Sequence, residues 1–128
     1  MTPSVRNLLR PLPDARSAEQ FEALFERPGL RVERIVSQGQ SSPPGFWYEQ
    51  AQDEWVLVLA GSAVLRFEEP ARAVPLAVGD SVMLPAGMRH RVESTDAGRP
   101  TVWLAIHVDR RDAAPSDDRV LDGQRAAT

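Results

Sequence analysis

From residue 30 onward, apolar and polar positions alternate in short runs. LRVERIVS (30–37), GFWYEQ (45–50), EWVLVLA (54–60) and SAVLRFE (62–68) come first. AVPLAV (73–78), SVML (81–84), HRVES (90–94) and TVWLAIHVD (101–109) follow. Gly61, residues 70–72, Gly79 with Asp80, residues 85–87 and residues 96–100 punctuate them. Alternation with a period of two marks strands that bury one face. Many such strands with no helix between them predict an all-β fold, an antiparallel sandwich or barrel. Two runs are apolar beyond that rule. In 54–60, Val56 and Val58 share one face while Trp55, Leu57 and Leu59 share the other. In 101–109, Val102, Leu104, Ile106 and Val108 form an unbroken apolar face. A strand that is apolar on both sides needs cover on both sides. The opposite sheet supplies one cover, and the N-terminal helix or a second subunit the other. A homodimer is therefore expected.

The first residues read differently. Positions 1–16 are broken by prolines and expected to be extended. SAEQFEALFER (17–27) has a helical texture: Ser17 and Gln20 form a capping box, and Phe21, Leu24 and Phe25 form an apolar stripe. Pro28 and Gly29 would stop it. The expected organisation is an N-terminal extension with one short helix (1–29), a β-barrel (30–109) and a loosely held tail (110–128).

Composition narrows the chemistry. The chain has 128 residues, enough for one modest core. Its longest apolar run, 55–61, is far too short to span a bilayer, and its N-terminus has no apolar signal core. A cytoplasmic protein with no membrane partner is expected. There is no cysteine, which removes disulfides, thiolate nucleophiles and cysteine zinc sites together. All 15 basic residues are arginine, which excludes a catalytic lysine and a GxxxxGK phosphate loop. A net charge of −3 with scattered arginines gives no nucleic-acid face.

One of the only two histidines lies in GDSVMLPAGMRHRVES, 79–94. Here Gly79 is followed by Pro85, Gly87, His90 and Ser94 at set spacings. This pattern resembles the second signature of the cupin superfamily, which ends in asparagine where this chain has Ser94. The first cupin signature runs glycine, HxH, glutamate, glycine; Glu54 and Gly61 match its second half. The stretch RIVSQGQSSPPGFWYEQAQDEWVLVLAGSA also looks like a subgroup of small cupins. The resemblance spans the predicted barrel, residues 30–109. It implies a cupin-type antiparallel β-barrel, or jelly roll, with a divalent transition metal inside it. It also implies an enzyme of dioxygenase, isomerase or lyase type acting on a small molecule.

The HxH pair is missing. In the register that counts four residues back from Glu54, Tyr48 and Gln50 take those positions, and both share a face with Phe46. In the looser register Trp47 and Glu49 take them instead. An imidazole and a carboxylate suit Fe, Mn, Zn, Ni or Cu. In the first register His90, Glu54 and Gln50 hold the ion, while Tyr48 and His107 orient substrate or relay a proton. His107 shares a strand face with Trp103 and Ala105. The proline–alanine–glycine turn at 85–87 is expected to deliver His90, Val92 and Ser94 to the barrel interior. The competing reading is a non-catalytic cupin that binds a small ligand, or senses one, without metal.

Overall fold

The computed structural model describes residues 2–110, so the expected tail lies outside the described residues from position 111 onward. Every regular element in this range is a strand: β1 (Gln20–Arg27), β2 (Leu30–Ser37), β3 (Gln52–Ala60), β4 (Ala63–Phe67), β5 (Arg72–Leu76), β6 (Ser81–Leu84), β7 (His90–Thr95) and β8 (Thr101–Asp109). Antiparallel pairing arranges them as a five-stranded sheet, β1-β2-β8-β3-β6, and a three-stranded sheet, β5-β4-β7. Among the described residues no helix is long and apolar enough to cross a membrane. The antiparallel β-barrel expected from the alternation is what forms.

The core lies between the sheets. Val56 and Val58 from β3, Leu65 and Phe67 from β4, Leu84 from β6 and Trp103 from β8 are all buried there. A second, smaller cluster sits on the outer face of the large sheet, where Ala15 and Leu12 cover Val36, Val102 and Leu59. Arg34 holds this N-terminal segment down by donating to the Leu8 carbonyl at 3.0 Å and to Glu22 at 2.9 Å. The extended N-terminus thus supplies part of the outer cover that Val102 required. Gly61 makes the turn from β3 to β4 at φ +81°, and a Cβ there would stand 2.6 Å from Thr101 Cα. Only glycine fits that close approach.

Three local expectations are corrected. The helix expected over 17–27 is instead the edge strand β1, joined to β2 by the two-residue turn Pro28–Gly29. Proline followed by a glycine at φ +76° is the sequence of a type II turn, so the residues read as a helix stop close a hairpin. The Glu, Ala and Leu content favours a helix locally, but pairing with β2 outweighs that preference. A bulge between Ala23 and Phe25 then separates the stripe, with Phe21 opposite Ile35 and Phe25 opposite Val32. Second, the run 45–50 forms only an isolated bridge, Tyr48 to His90. Third, a bulge in β7 moves the pairing from Val92–Leu65 to Ser94–Val64, so Ser94 is exposed and Thr95 is buried in its place.

Candidate functional site

Glu54 stands on the inward face of β3 with Val56 and Val58, and only 7% of it is exposed. The sheet register places it directly beside His107 of β8. His90 arrives from the other sheet. The Gly87 N–H donates to the Gln50 carbonyl at 2.8 Å, and the Met88 N–H donates to the Pro85 carbonyl at 3.1 Å. His90 Nδ1 then lies 3.1 Å from the Met88 carbonyl, a contact that puts the proton of a neutral ring on Nδ1. Nε2 is left facing Glu54 Oε1 at 3.9 Å. Tyr48 exchanges backbone hydrogen bonds of 2.7 and 3.1 Å with His90. Its ring stacks on the imidazole with centroids 5.5 Å apart and planes at 23°. Proline, glycine and this bridge together fix the direction of His90.

A second layer of polar groups lies alongside. His107 Nε2 is 3.0 Å from Glu33 Oε2 and 3.8 Å from Glu54 Oε2. Arg31 Nε is 3.6 Å from the other Glu33 oxygen. Trp103 Nε1 donates to Ser37 Oγ at 3.2 Å, and that hydroxyl donates to Glu19 Oε2 at 2.5 Å. The buried imidazole, indole and hydroxyl groups each find a partner.

All of these surround one cavity of about 370 Å³, which Tyr48, Gln50, Glu54, His90 and His107 all line. The Tyr48 and Gln50 register therefore faces the site. Trp47 and Glu49 turn outward, with the Arg89 guanidinium 5.9 Å from the Trp47 ring and its Nε 3.9 Å from Glu49. Three charged lining residues were not anticipated from sequence: Glu19, Arg31 and Glu33. The signal for two of them lay in LRVERIVS, whose positions 31, 33, 35 and 37 share the inward face. Two charges on that face, against one apolar residue, mark a polar cavity wall.

Burial raises the Glu54 carboxyl above its ordinary value, against the downward pull of His107 and then His90. Burial likewise raises the Tyr48 phenol, and the carboxylates of Glu19, Glu54 and Glu33 add to that rise. A phenolate ligand is therefore disfavoured at position 48. Two good donors, His90 Nε2 and a Glu54 oxygen, converge on the same space. Among the described residues, however, no three histidine, cysteine, aspartate or glutamate side chains are arranged to hold a metal ion. His107, the other imidazole of the cavity, is turned to Glu33. A third donor can come from the Gln50 amide oxygen, or from His107 after it leaves that carboxylate. The donor chemistry fits a transition metal, with two groups preset and a third within the same wall.

The profile of the cupin domain family matches residues 32–107. A candidate mannose-6-phosphate isomerase from Ralstonia eutropha JMP134 is 49% identical in sequence. Its crystal structure superposes with a TM-score of 0.81 over 84% of this chain and 100% of that one. A cupin superfamily protein from Desulfitobacterium hafniense shares the fold at 20% identity, with a TM-score of 0.65 over 77% of this chain and 84% of its own. Among curated proteins, none matches. With the family profile covering most of the barrel, and with Glu54 and His90 on its inner wall, this chain belongs to the cupin family.

Proposed function

We propose that this small cupin binds a divalent transition metal on His90, Glu54 and Gln50 and acts as an enzyme on a small molecule in the barrel. The observation that carries the reading is the placement of buried Glu54 between two imidazoles, with His90 Nε2 and His107 Nε2 at 3.9 and 3.8 Å from its two oxygens. A carboxylate this deep needs a cation or a proton. Fe, Mn, Zn and Ni all suit an imidazole and a carboxylate, and a bound ion would polarise a substrate oxygen. Of the dioxygenase, isomerase and lyase reactions, isomerisation has the most support. The Ralstonia relative is named as a candidate isomerase. The cavity wall also offers proton-moving groups, the His107–Glu33 pair and the Tyr48 hydroxyl. The Glu33 carboxylate, through the His107 Nε2–H that it holds, can relay a proton, and the Tyr48 hydroxyl can donate to a substrate oxygen. A cytoplasmic setting suits a chain without cysteine.

Elemental analysis of protein purified without a histidine tag or chelator tests this reading. Bound transition metal near one equivalent supports it, and its loss in His90→Ala assigns the ion to this wall. One observation favours a second reading, a non-catalytic ligand-binding or sensor cupin: no three acidic or imidazole groups are already arranged around an ion among the described residues. Metal-free protein that binds small molecules without converting them would establish that alternative.

We further propose that the outer face of the large sheet is covered by a second copy of the chain. The register aligns Phe25, Val32, Ile106, Trp55 and Met83 side by side across all five strands. Phe25 is 49% exposed, and the N-terminal segment covers the other end of the sheet, at Val36 and Val102. A self-complementary apolar row of this kind suits a two-fold interface.

A further inference from the structure

The charges on the cavity wall are unevenly distributed. Glu19, Glu33 and Glu54 supply three carboxylates, and Arg31 is the only arginine among the lining residues. Arg31 is already placed against Glu33, with Nε 3.6 Å from Oε1. Neighbouring arginines are committed elsewhere. Arg34 is bound to Leu8 and Glu22, Arg91 donates to the Ser42 carbonyl at 2.7 Å, and Arg89 pairs with Glu68 at 3.1 Å. Among the described residues there is no helix, so no helix N-terminus points at the cavity. The glycine turn nearest the site has its Gly87 N–H bonded to Gln50. Among the described residues, Arg31 is thus the one usual device for holding a phosphate or carboxylate on this wall, and Glu33 stands against it.

Further along the same strands the lining is apolar, formed by Ile35, Val56, Val92 and Trp103, with Leu65 and Leu84 from β4 and β6. A volume of 370 Å³ accommodates about a dozen non-hydrogen atoms at the roughly 30 Å³ that a water occupies in the liquid. We infer that the cavity takes a small uncharged molecule with an apolar body and one hydrogen-bonding head, and that it excludes phosphorylated and carboxylated ligands. This rests on the reading that the cavity is the ligand site. It separates this chain from the sugar-phosphate chemistry in the name of its Ralstonia relative. A divalent ion on His90 and Glu54 would cancel the excess of carboxylates over Arg31 and offer an oxygen anion a seat, so the exclusion belongs to the metal-free cavity. The head group meets His107, Tyr48 and Gln50 at the polar end, while the body packs on Trp103 and the aliphatic wall.

Binding of two matched pairs to the full-length protein tests the inference: 3-phenylpropan-1-ol against 3-phenylpropionate, and mannose against mannose 6-phosphate. Calorimetry is run on protein as purified and again after chelator treatment. In the chelated protein the alcohol should bind about tenfold more tightly than the carboxylate, and the phosphate should give mannose no advantage. Glu19→Gln, at a half-buried position, should narrow the alcohol–carboxylate gap by about threefold by removing one repulsive charge. In the chelated protein, tighter binding of the carboxylate or the sugar phosphate than of its neutral partner would overturn the inference. So would failure of 3-phenylpropan-1-ol to bind at millimolar concentration. Failure of the metal proposal reads out separately, as absence of metal from the purified protein with the ligand ranking intact.

Discussion

His107 is bonded to Glu33 rather than to Glu54: its Nε2 lies 3.0 Å from the Glu33 carboxylate and 3.8 Å from Glu54. The sheet register puts His107 directly opposite Glu54 on β3 and opposite Arg31 on β2, where Glu33, two residues on and on the same face, reaches the ring, so the imidazole has carboxylates on both sides. Its choice between them sets what the cavity can do. Held by Glu33, it is an acid–base pair; released, it becomes a third donor beside His90 and Glu54.

Glu33→Gln should therefore strengthen metal binding. An amide holds the ring nitrogen less firmly than a carboxylate, which frees His107 to turn to an ion at Glu54. Zinc titration followed by calorimetry should show affinity rising by about three- to tenfold. A loss of affinity would mean that Glu33 orients His107 for the ion, and the competition between the two carboxylates would have to be abandoned.

His90 should matter more to the ion than His107. Its Nδ1 is occupied by the Met88 carbonyl, so its Nε2 lone pair is free and already aimed at Glu54. His90→Ala should remove most bound metal, a loss of about 100-fold in affinity or more. His107→Ala should cost less. Equal metal content in wild type and His90→Ala would sink the assignment.

Much of this architecture was legible in the chain. Strict alternation around Glu54 and around His107 gave their inward orientation, and the glycine, proline and histidine spacing at 79–90 gave the direction of His90. What failed were positions where long-range pairing or an extra residue decides. Residues 17–27 carry helix-forming side chains, yet β2 offers them a hydrogen-bonding edge that no local pattern reveals. Ser94 was expected inside, and one bulged residue reverses its face. Glu33 and Glu19 belong to no motif and reach the site only through the sheet register and the N-terminal segment.

The raised carboxyl of Glu54 gives a stability prediction with a defined sign. A group whose value in the folded protein exceeds its ordinary 4.5 contributes its full stability below that pH. The contribution is lost as pH rises through the raised value, because the buried carboxylate must then carry its charge. Metal-free Glu54→Gln should therefore be more stable than metal-free wild type at pH 8, with the gap closing towards pH 4.5. Urea denaturation of chelated protein across this range measures it. A gap that widens as pH falls would show that the imidazoles outweigh burial.

Trp55 sits at the middle of the outer apolar row, between Ile106 and Met83. Trp55→Glu should convert the proposed dimer into a monomer and leave the cavity intact, because the side chain points away from Glu54 and Val56. Light scattering at micromolar concentration reads the change. Wild-type protein that is itself monomeric, with no loss of stability on dilution, would remove the case for a second copy.

Gln50 is the position where a better donor could be installed with the least disturbance. Its side chain lines the cavity, and its backbone carbonyl is anchored by the Gly87 N–H at 2.8 Å, so the chain there is held whatever the side chain. Gln50→His replaces a neutral amide oxygen with an imidazole on the same wall as His90 and Glu54. Affinity should rise by about tenfold or more for zinc, nickel and copper, and least for magnesium, which prefers oxygen ligands. Titrating chelated wild type and variant in parallel, with nickel and then with magnesium, separates a specific gain from a general one. An increase for nickel alone means that position 50 points at the ion seat between His90 and Glu54. A variant that binds neither ion better, but loses stability, would place the Gln50 amide in a ligand pocket rather than a metal site. The acid–base pair of His107 and Glu33 would then be the chemistry left to the cavity.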